Sequence, residues 1–190
     1  MGEHLARREP AIVSSSPPLE IERVFLLRGM PQLPAEHEVC SLEQGYLPES
    51  PETAAGSSEF LEGRIRRTTR SDGSTRCHHT IKRGGGIVRE EIEREIECGE
   101  FERLWPRTEG RRISKVRHRV AEGDVIWEVD RFEGLPLVLA EVELKAVDQA
   151  LQLPRWLEGW VIREVSEDPR YRNSAIAFGL GNHGPLPPLR

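Results

Sequence analysis

LEIERVFLL, residues Leu19–Leu27, decides how the rest of the chain is read. In an extended strand side chains alternate, so Glu20, Glu22, Val24 and Leu26 share one face while Ile21, Arg23, Phe25 and Leu27 share the other. Two neighbouring carboxylates on a face that then turns apolar ask what lies opposite them. The same period of two recurs down the chain. It predicts strands at Glu20–Leu27, Val39–Leu47, Glu59–Thr69, Thr75–Lys82, Val88–Glu97, Ile113–Val120, Val125–Phe132 and Leu137–Leu144. Turns such as RSDGST, KRGGGI and AEGDV between them favour consecutive antiparallel hairpins. Helical patterns are expected at Gly99–Trp105 and Ala146–Trp156, each stopped near a proline. The class is α+β, with a large antiparallel sheet able to close into a barrel.

The 190 residues suit one domain with tails. Residues 1–18, ending in SSSPP, read as a flexible N-terminal arm, 19–178 as the folded unit, and 179–190 as a C-terminal tail. A formal charge of −5 argues against a general nucleic-acid or anionic-membrane binder. Cys40, Cys77 and Cys98 are odd in number and widely spaced, which disfavours a disulfide framework or a zinc site. No apolar run approaches a membrane span, and MGEHLARREP lacks an apolar signal core. The expectation is a cytoplasmic protein with no nucleic-acid or membrane partner.

Taken at period two, the polar strand faces sort by sign. The acidic rows are Glu20 and Glu22; Glu91, Glu93, Glu95 and Glu97; Glu128 and Asp130; Glu141 and Glu143. The basic rows are Arg64 and Arg66; Lys115, Arg117 and Arg119; and Lys82, on the face of Thr80. Like charges in a row repel, and a solvated face gains by mixing signs. A single E-x-E or R-x-R pair is ordinary in a sheet packed on one side. Jointly, rows of one sign call for a counterion of the other: phosphate for the arginine forks, hard divalent cations for the carboxylates.

In order along the chain, EIER, QGYL at Gln44–Leu47, RIRR at Arg64–Arg67, TIKRGGG at Thr80–Gly86, REEIEREI, LWPRTEGRRISKVRHRV, WEVDRFEG, LAEVEL and REVSEDPRYRNSAIA resemble the CYTH superfamily, the triphosphate tunnel metalloenzymes. That resemblance implies an eight-stranded antiparallel β-barrel, a triphosphate tunnel, with flanking helices, and Mg²⁺ or Mn²⁺ as cofactor. By position it implies that Arg64, Arg66, Lys82, Lys115, Arg117, Arg119 and Arg172 bind substrate, Arg172 from a helix closing one mouth. It makes Glu20, Glu22, Glu128, Asp130, Glu141 and Glu143 metal ligands, with Glu91 and Glu93 in support. Glu22 or Glu143 would activate water, and Tyr46 joins them among the catalytic residues. The implied activity is metal-dependent hydrolysis of a triphosphate, foremost inorganic tripolyphosphate. A module that senses a polyphosphate or nucleotide, or a class IV-type adenylate cyclase, are the alternatives. The oligomeric state is open, a homodimer included.

The chain departs from the resemblance at one position. The motif E-x-E-x-K runs here Glu20, Ile21, Glu22, Arg23, Val24, so an isopropyl group stands where an ammonium is expected. Arg23 points to the other face and cannot replace it. Elsewhere bland readings prevail. KRGGG lacks the Walker spacing and reads as a hairpin turn. His78 and His79 face opposite sides and read as surface or hairpin residues. Trp105, Trp127, Trp156 and Trp160 read as packing residues. Arg111 and Arg112 are candidates to continue the basic lumen, but neighbours in a strand split between faces, so one of them is expected in solvent.

Overall fold

The computed structural model describes residues 19–48, 63–83, 88–146 and 148–182. The side chains of 19–20, 82–83, 88–91 and 180–182 are outside that description. The strands are β1 (Leu19–Leu27), β2 (Glu38–Leu47), β3 (Gly63–Arg70), β4 (Thr75–Arg83), β5 (Val88–Ile96), β6 (Arg112–Glu122), β7 (Val125–Phe132), β8 (Val138–Leu144) and β9 (Val161–Glu164). Among the described residues the helices are α1 (Cys98–Leu104), α2 (Arg155–Glu158) and α3 (Asn173–Asn182), with 3₁₀ turns at Trp105–Thr108 and Pro169–Tyr171.

All strand pairings are antiparallel, in the order β5-β4-β3-β2-β6-β7-β8-β1-β9. β1 pairs with β8 along one edge and divides its other edge, Leu19–Ile21 against Val88–Glu90 of β5 and Phe25–Leu27 against β9. Eight strands therefore run round a ring, and β9 flanks the seam. Tight turns set the registers: Gly73 and Gly123, at φ +82° and +59°, take the left-handed conformation that glycine adopts freely. The Gly123 hairpin fixes Glu122 opposite Val125, and hence Arg119 opposite Glu128 and Arg117 opposite Asp130.

Alternation then gives each strand two tasks. Outward residues of β1, β7 and β8, including Phe25, Trp127, Val129, Ala140 and Val142, are buried with Leu157 of α2 beneath Leu151, Leu153 and Trp156. Ile65, Cys77 and Ile96 pack outward on Phe101 of α1. Arg67 lays its guanidinium 4.9 Å from the Phe101 ring centre and bonds Glu43 and Glu102. Inside the ring, one end is filled by Leu26, Ile113, Phe132 and Leu139 against Ile176 and Ala177 of α3. Most of the other inward positions are polar, Val24 being an exception.

Several expectations are corrected. The helix expected at Ala146–Trp156 is irregular chain that ends in α2, one turn long. Leu151 and Leu153 pack on the Trp127 cluster without helical geometry, Trp156 joins them from α2, and Pro154 occupies the extended N-cap position of that helix. β9, four residues long, is too short to alternate visibly. α3 continues to Asn182, beyond the expected domain end at Phe178. His79 is buried rather than at the surface. The N-terminal arm, the first residues of the strand expected from Glu59 and the glycines of KRGGG lie outside the described residues. Among the described residues no helix is long and apolar enough to cross a membrane.

Gly45 aligns the wall of the barrel. A Cβ there would meet the Thr108 hydroxyl at 2.5 Å, and Thr108 is fully buried, donating to the Trp105 carbonyl and accepting from Arg112. Gly45→Ala is expected to destabilise the fold by about 1–3 kcal/mol through overpacking. Urea denaturation checks this, and an unchanged midpoint would show that the Trp105–Thr108 turn yields freely.

Candidate active site

The polar interior opens as a cavity of about 1330 Å³. Around the ring its charged lining falls into two arcs. β3 and β6 contribute Arg64, Arg66, Arg117 and Arg119, with Gln44 and Tyr46 of β2 between them; β7, β8 and β1 contribute Glu128, Glu141, Glu143 and Glu22. Arg111 and Arg172 join from the segments preceding β6 and α3. The two signs are segregated because consecutive strands in the ring carry rows of like charge.

On the basic arc, Arg64 and Arg66 are brought side by side by alternation about the buried Ile65. Glu93 of β5 lies between their heads, 3.2 Å from Arg66 and 3.5 Å from Arg64, and accepts from Thr80 at 2.8 Å. Burial, and then the neighbouring Arg64, pull the Arg66 guanidinium below its ordinary value, Glu93 opposing the shift. Arg172 lies between the Pro169–Tyr171 turn and α3, not within the helix, and its buried Nε has no hydrogen-bond partner among the described residues. Of the adjacent arginines 111 and 112, Arg111 lines the cavity. Arg112 turns away to the Trp105 carbonyl and stacks 4.4 Å from that ring.

On the acidic arc, Glu22 lies opposite Glu143 and Val24 opposite Glu141. The amide of Val24 donates to Ser166 Oγ and its carbonyl accepts from Val165, so both backbone groups are used on the edge away from β8. Residues 22 and 24 therefore form non-hydrogen-bonded pairs with β8, the geometry in which cross-strand side chains come closest. Neither Glu22 nor Glu143 makes an ion pair with a described residue, although like charges directly opposite destabilise a sheet. An oxygen-only carboxylate pair facing open space fits a hard divalent cation. Among the described residues no three His, Cys, Asp or Glu side chains gather into a complete metal site. Mg²⁺ characteristically takes one or two carboxylates and completes its shell with phosphate oxygens and water.

The deepest layer differs from what the rows implied. Lys115 and Asp130 have no exposed side-chain surface, bond each other, and lie behind the cavity wall; Lys115 also bonds Asn173 of α3 at 3.2 Å. The cause is register: the basic row of β6 and the acidic row of β7 stand across one hairpin and neutralise each other. Burial alone would raise Asp130, but Arg117 and Lys115 hold its carboxyl down at about 2. Tyr46 is partly buried, its ring 6.3 Å from Phe178, and desolvation pushes its hydroxyl up to about 12. It is a neutral donor, not a base. The side chains of Glu20, Lys82 and Glu91 are outside the described residues.

One buried lining residue was not singled out in the sequence. Gln44, 1% exposed, presents an amide nitrogen with no partner among the described residues. Its position in QGYL, two residues before Tyr46 on the same face, was the available signal. Arg111 was one of a pair whose faces the sequence did not distinguish.

Glu141 carries a pH signature. Burial raises its carboxyl to about 7, Glu22 and Asp130 adding to the rise against Lys115 and Arg117. A folded-state value above the ordinary 4.5 gives stability that is complete below about pH 4.5 and lost as pH rises through about 7. In chelator, the wild type is expected to lose about 1–3 kcal/mol from this group between pH 5 and pH 8. Glu141→Gln should flatten that segment of the melting profile. Parallel profiles would contradict the assignment.

No protein-family model matches the chain. It is 37% identical over 167 residues to the inorganic triphosphatase of Nitrosomonas europaea, covering 85% of this chain and 98% of that protein. It is 41% identical over 94 residues to the inorganic triphosphatase of Acetivibrio thermocellus, 48% of this chain and 58% of that one. The crystal structure of the inorganic triphosphatase NE1496 superposes with a TM-score of 0.53 at 34% identity, over 84% of this chain and 94% of that one. An antiparallel ring with an arginine arc facing a carboxylate arc, and this identity over nearly the whole of a characterised relative, place the chain in the inorganic triphosphatase family of the CYTH superfamily.

Proposed function

We propose that the chain hydrolyses a terminal phosphoanhydride of inorganic tripolyphosphate within this cavity, with a divalent cation. The observation that carries the reading is the segregation of the lining into an arginine arc and a facing carboxylate arc, with Glu22 and Glu143 lacking any counter-cation among the described residues. A linear polyanion and a cation together neutralise both.

Arg64, Arg66, Arg111, Arg119 and Arg172 orient the phosphates and take up the charge that develops on their oxygens. Phosphoryl transfer asks little covalent chemistry of a protein, so positioning and charge stabilisation do most of the work. Glu93 is the internal competitor: it holds Arg64 and Arg66 parallel until phosphate displaces it. Gln44 and Tyr46 donate neutral hydrogen bonds deeper in the wall. Glu22 and Glu143 would hold Mg²⁺ or Mn²⁺, which when bound supplies Lewis-acid polarisation of the phosphate oxygens. One of the two accepts the proton of the attacking water. Water oxygen bonds to the terminal phosphorus, the bridging P–O bond breaks, and orthophosphate and pyrophosphate leave.

Purified protein is expected to release phosphate from tripolyphosphate with Mg²⁺ or Mn²⁺ and to stop in chelator. ATP and thiamine triphosphate should be turned over at lower kcat/KM. Tight binding without turnover would make the chain a polyphosphate sensor, and a preference for ATP would move the substrate assignment. Arg64→Ala and Arg66→Ala should each raise the tripolyphosphate Kd about 10–100-fold, the worth of a charge-assisted hydrogen bond. Unchanged affinity in both would remove the basic arc from the site.

A further inference from the structure

Cysteines spaced too widely along the chain for a disulfide framework do not all stay apart in the fold. Cys77 stands on β4 opposite Ile96 of β5, and Cys98, two residues past Ile96, opens α1. In a continuing strand such a diagonal neighbour would lie about 7–8 Å away. Glu97 is instead the last extended residue, and the turn into α1 carries Cys98 back toward Cys77. Both pack in the cluster of Leu47, Ile65, Ile96 and Phe101, where the two thiols hydrogen-bond each other. Cys40 is placed differently: it pairs across β2 and β6 with Arg117 and shares its inward face, so the barrel wall separates it from the other two.

The two sulfurs divide the work of an oxidation between them. Cys77 is 1% exposed, whereas Cys98 is half-buried at the cluster's edge, so Cys98 is the thiol that a small oxidant reaches. Burial pushes the Cys77 thiol up to about 12, and the hydrogen bond and charge of Cys98 add to the rise. Oxidation of Cys98 removes both of those contributions and puts an electrophilic sulfur beside the Cys77 thiol. The partner that resolves the oxidised sulfur is therefore already in contact with it.

We propose that Cys77 and Cys98 are a redox-modification site, oxidised by a peroxide to a reversible disulfide that clamps the β4–β5 hairpin. The Cys98 thiolate attacks a peroxide oxygen, the O–O bond breaks, and sulfenic acid and hydroxide form; the Cys98 proton and hydroxide make one water. The Cys77 sulfur then bonds to the Cys98 sulfur, and its proton leaves with the displaced hydroxide as a second water. Two thiols have lost two electrons and two protons, and hydrogen peroxide has become two waters. The clamped hairpin carries Thr80 and Glu93, which hold the heads of Arg64 and Arg66, and its β5 closes the ring on β1 through Leu19–Ile21. The bond forms on the outer face of the wall and leaves the cavity lining untouched.

The test treats wild type and Cys98→Ser with a small excess of hydrogen peroxide. Intact mass, a peptide map after alkylation and the metal-free melting temperature are measured before treatment, after it, and after dithiothreitol. The wild type is expected to lose two hydrogens, to yield one peptide pair linked through Cys77 and Cys98, and to melt about 5–10 °C higher, the effect of closing a loop of this length in a domain of this size. Dithiothreitol should reverse all three changes. Cys98→Ser should show none of them, and the wild-type map decides the linkage whether or not the variant folds.

A merely structural pair would behave otherwise. Cys98 carried on to sulfinic acid with Cys77 still open to alkylation, a link that includes Cys40, or a linked protein that melts no higher would each overturn the proposal. None of these readouts needs substrate or metal, so the redox site and the triphosphatase reading fail separately.

Discussion

One guanidinium wedged among three carboxylates, Arg117 against Asp130, Glu128 and Glu141, is the contact on which the interior of this barrel depends. A ring of strands built to hold a highly charged ligand must turn charge inward, where water is restricted and an unpaired ion costs several kcal/mol. Two features keep that cost within what a marginally stable domain can bear. The ions that are fully enclosed, Lys115 and Asp130, are paired with each other and tied to α3 through Asn173. Those left without an internal partner among the described residues, such as Glu22, Glu143 and Arg172, face the cavity, where solvent or ligand can reach them.

The topology converts this local chemistry into a site. A meander confined to a flat sheet would put each charged row beside solvent. Here β1 meets β8 on one edge and β5 on the other, and the ring sets β3 and β6 opposite β8 and β1. The outer face of the same strands is apolar and buried under α1, α2 and the chain before α2, so the register that builds the core also aims the charges. A slip of one residue would exchange the two faces entirely. Stability and ligand recognition therefore depend on the same hairpin turns. The apolar plug of Leu26, Phe132 and Leu139 against α3 closes one end, and chemistry is left to the remaining length.

How much of this was legible in the sequence depended on range. Alternation about Ile65 disclosed Arg64 and Arg66 because a single strand carries the information, and most strands were found for the same reason. The pairing of Lys115 and Arg117 with Asp130 requires the register across Gly123. Counting outward from the EGDV turn would have given it, and would have shown that the two rows satisfy each other before any ligand arrives. The segment 146–156 misled because helical spacing and an apolar cover on Trp127 demand the same residues; only packing distinguishes them. Which of Arg111 and Arg112 points inward depends on the Trp105 ring and on Thr108, neither of which a period of two can register. Val24 was conspicuous in the sequence as a departure. Its neighbour Glu141, and the cation that serves Glu141 from β6, needed coordinates.

The central claim is that a triphosphate lies between the two arcs. The most direct measurement is a crystal structure with imidotriphosphate, a non-hydrolysable analogue, and Mn²⁺, whose anomalous scattering marks the metal. The account predicts phosphate density against Arg64, Arg66 and Arg172 and a Mn²⁺ peak beside Glu22 and Glu143. Ligand density outside the barrel, or an empty cavity at saturating analogue, would contradict it.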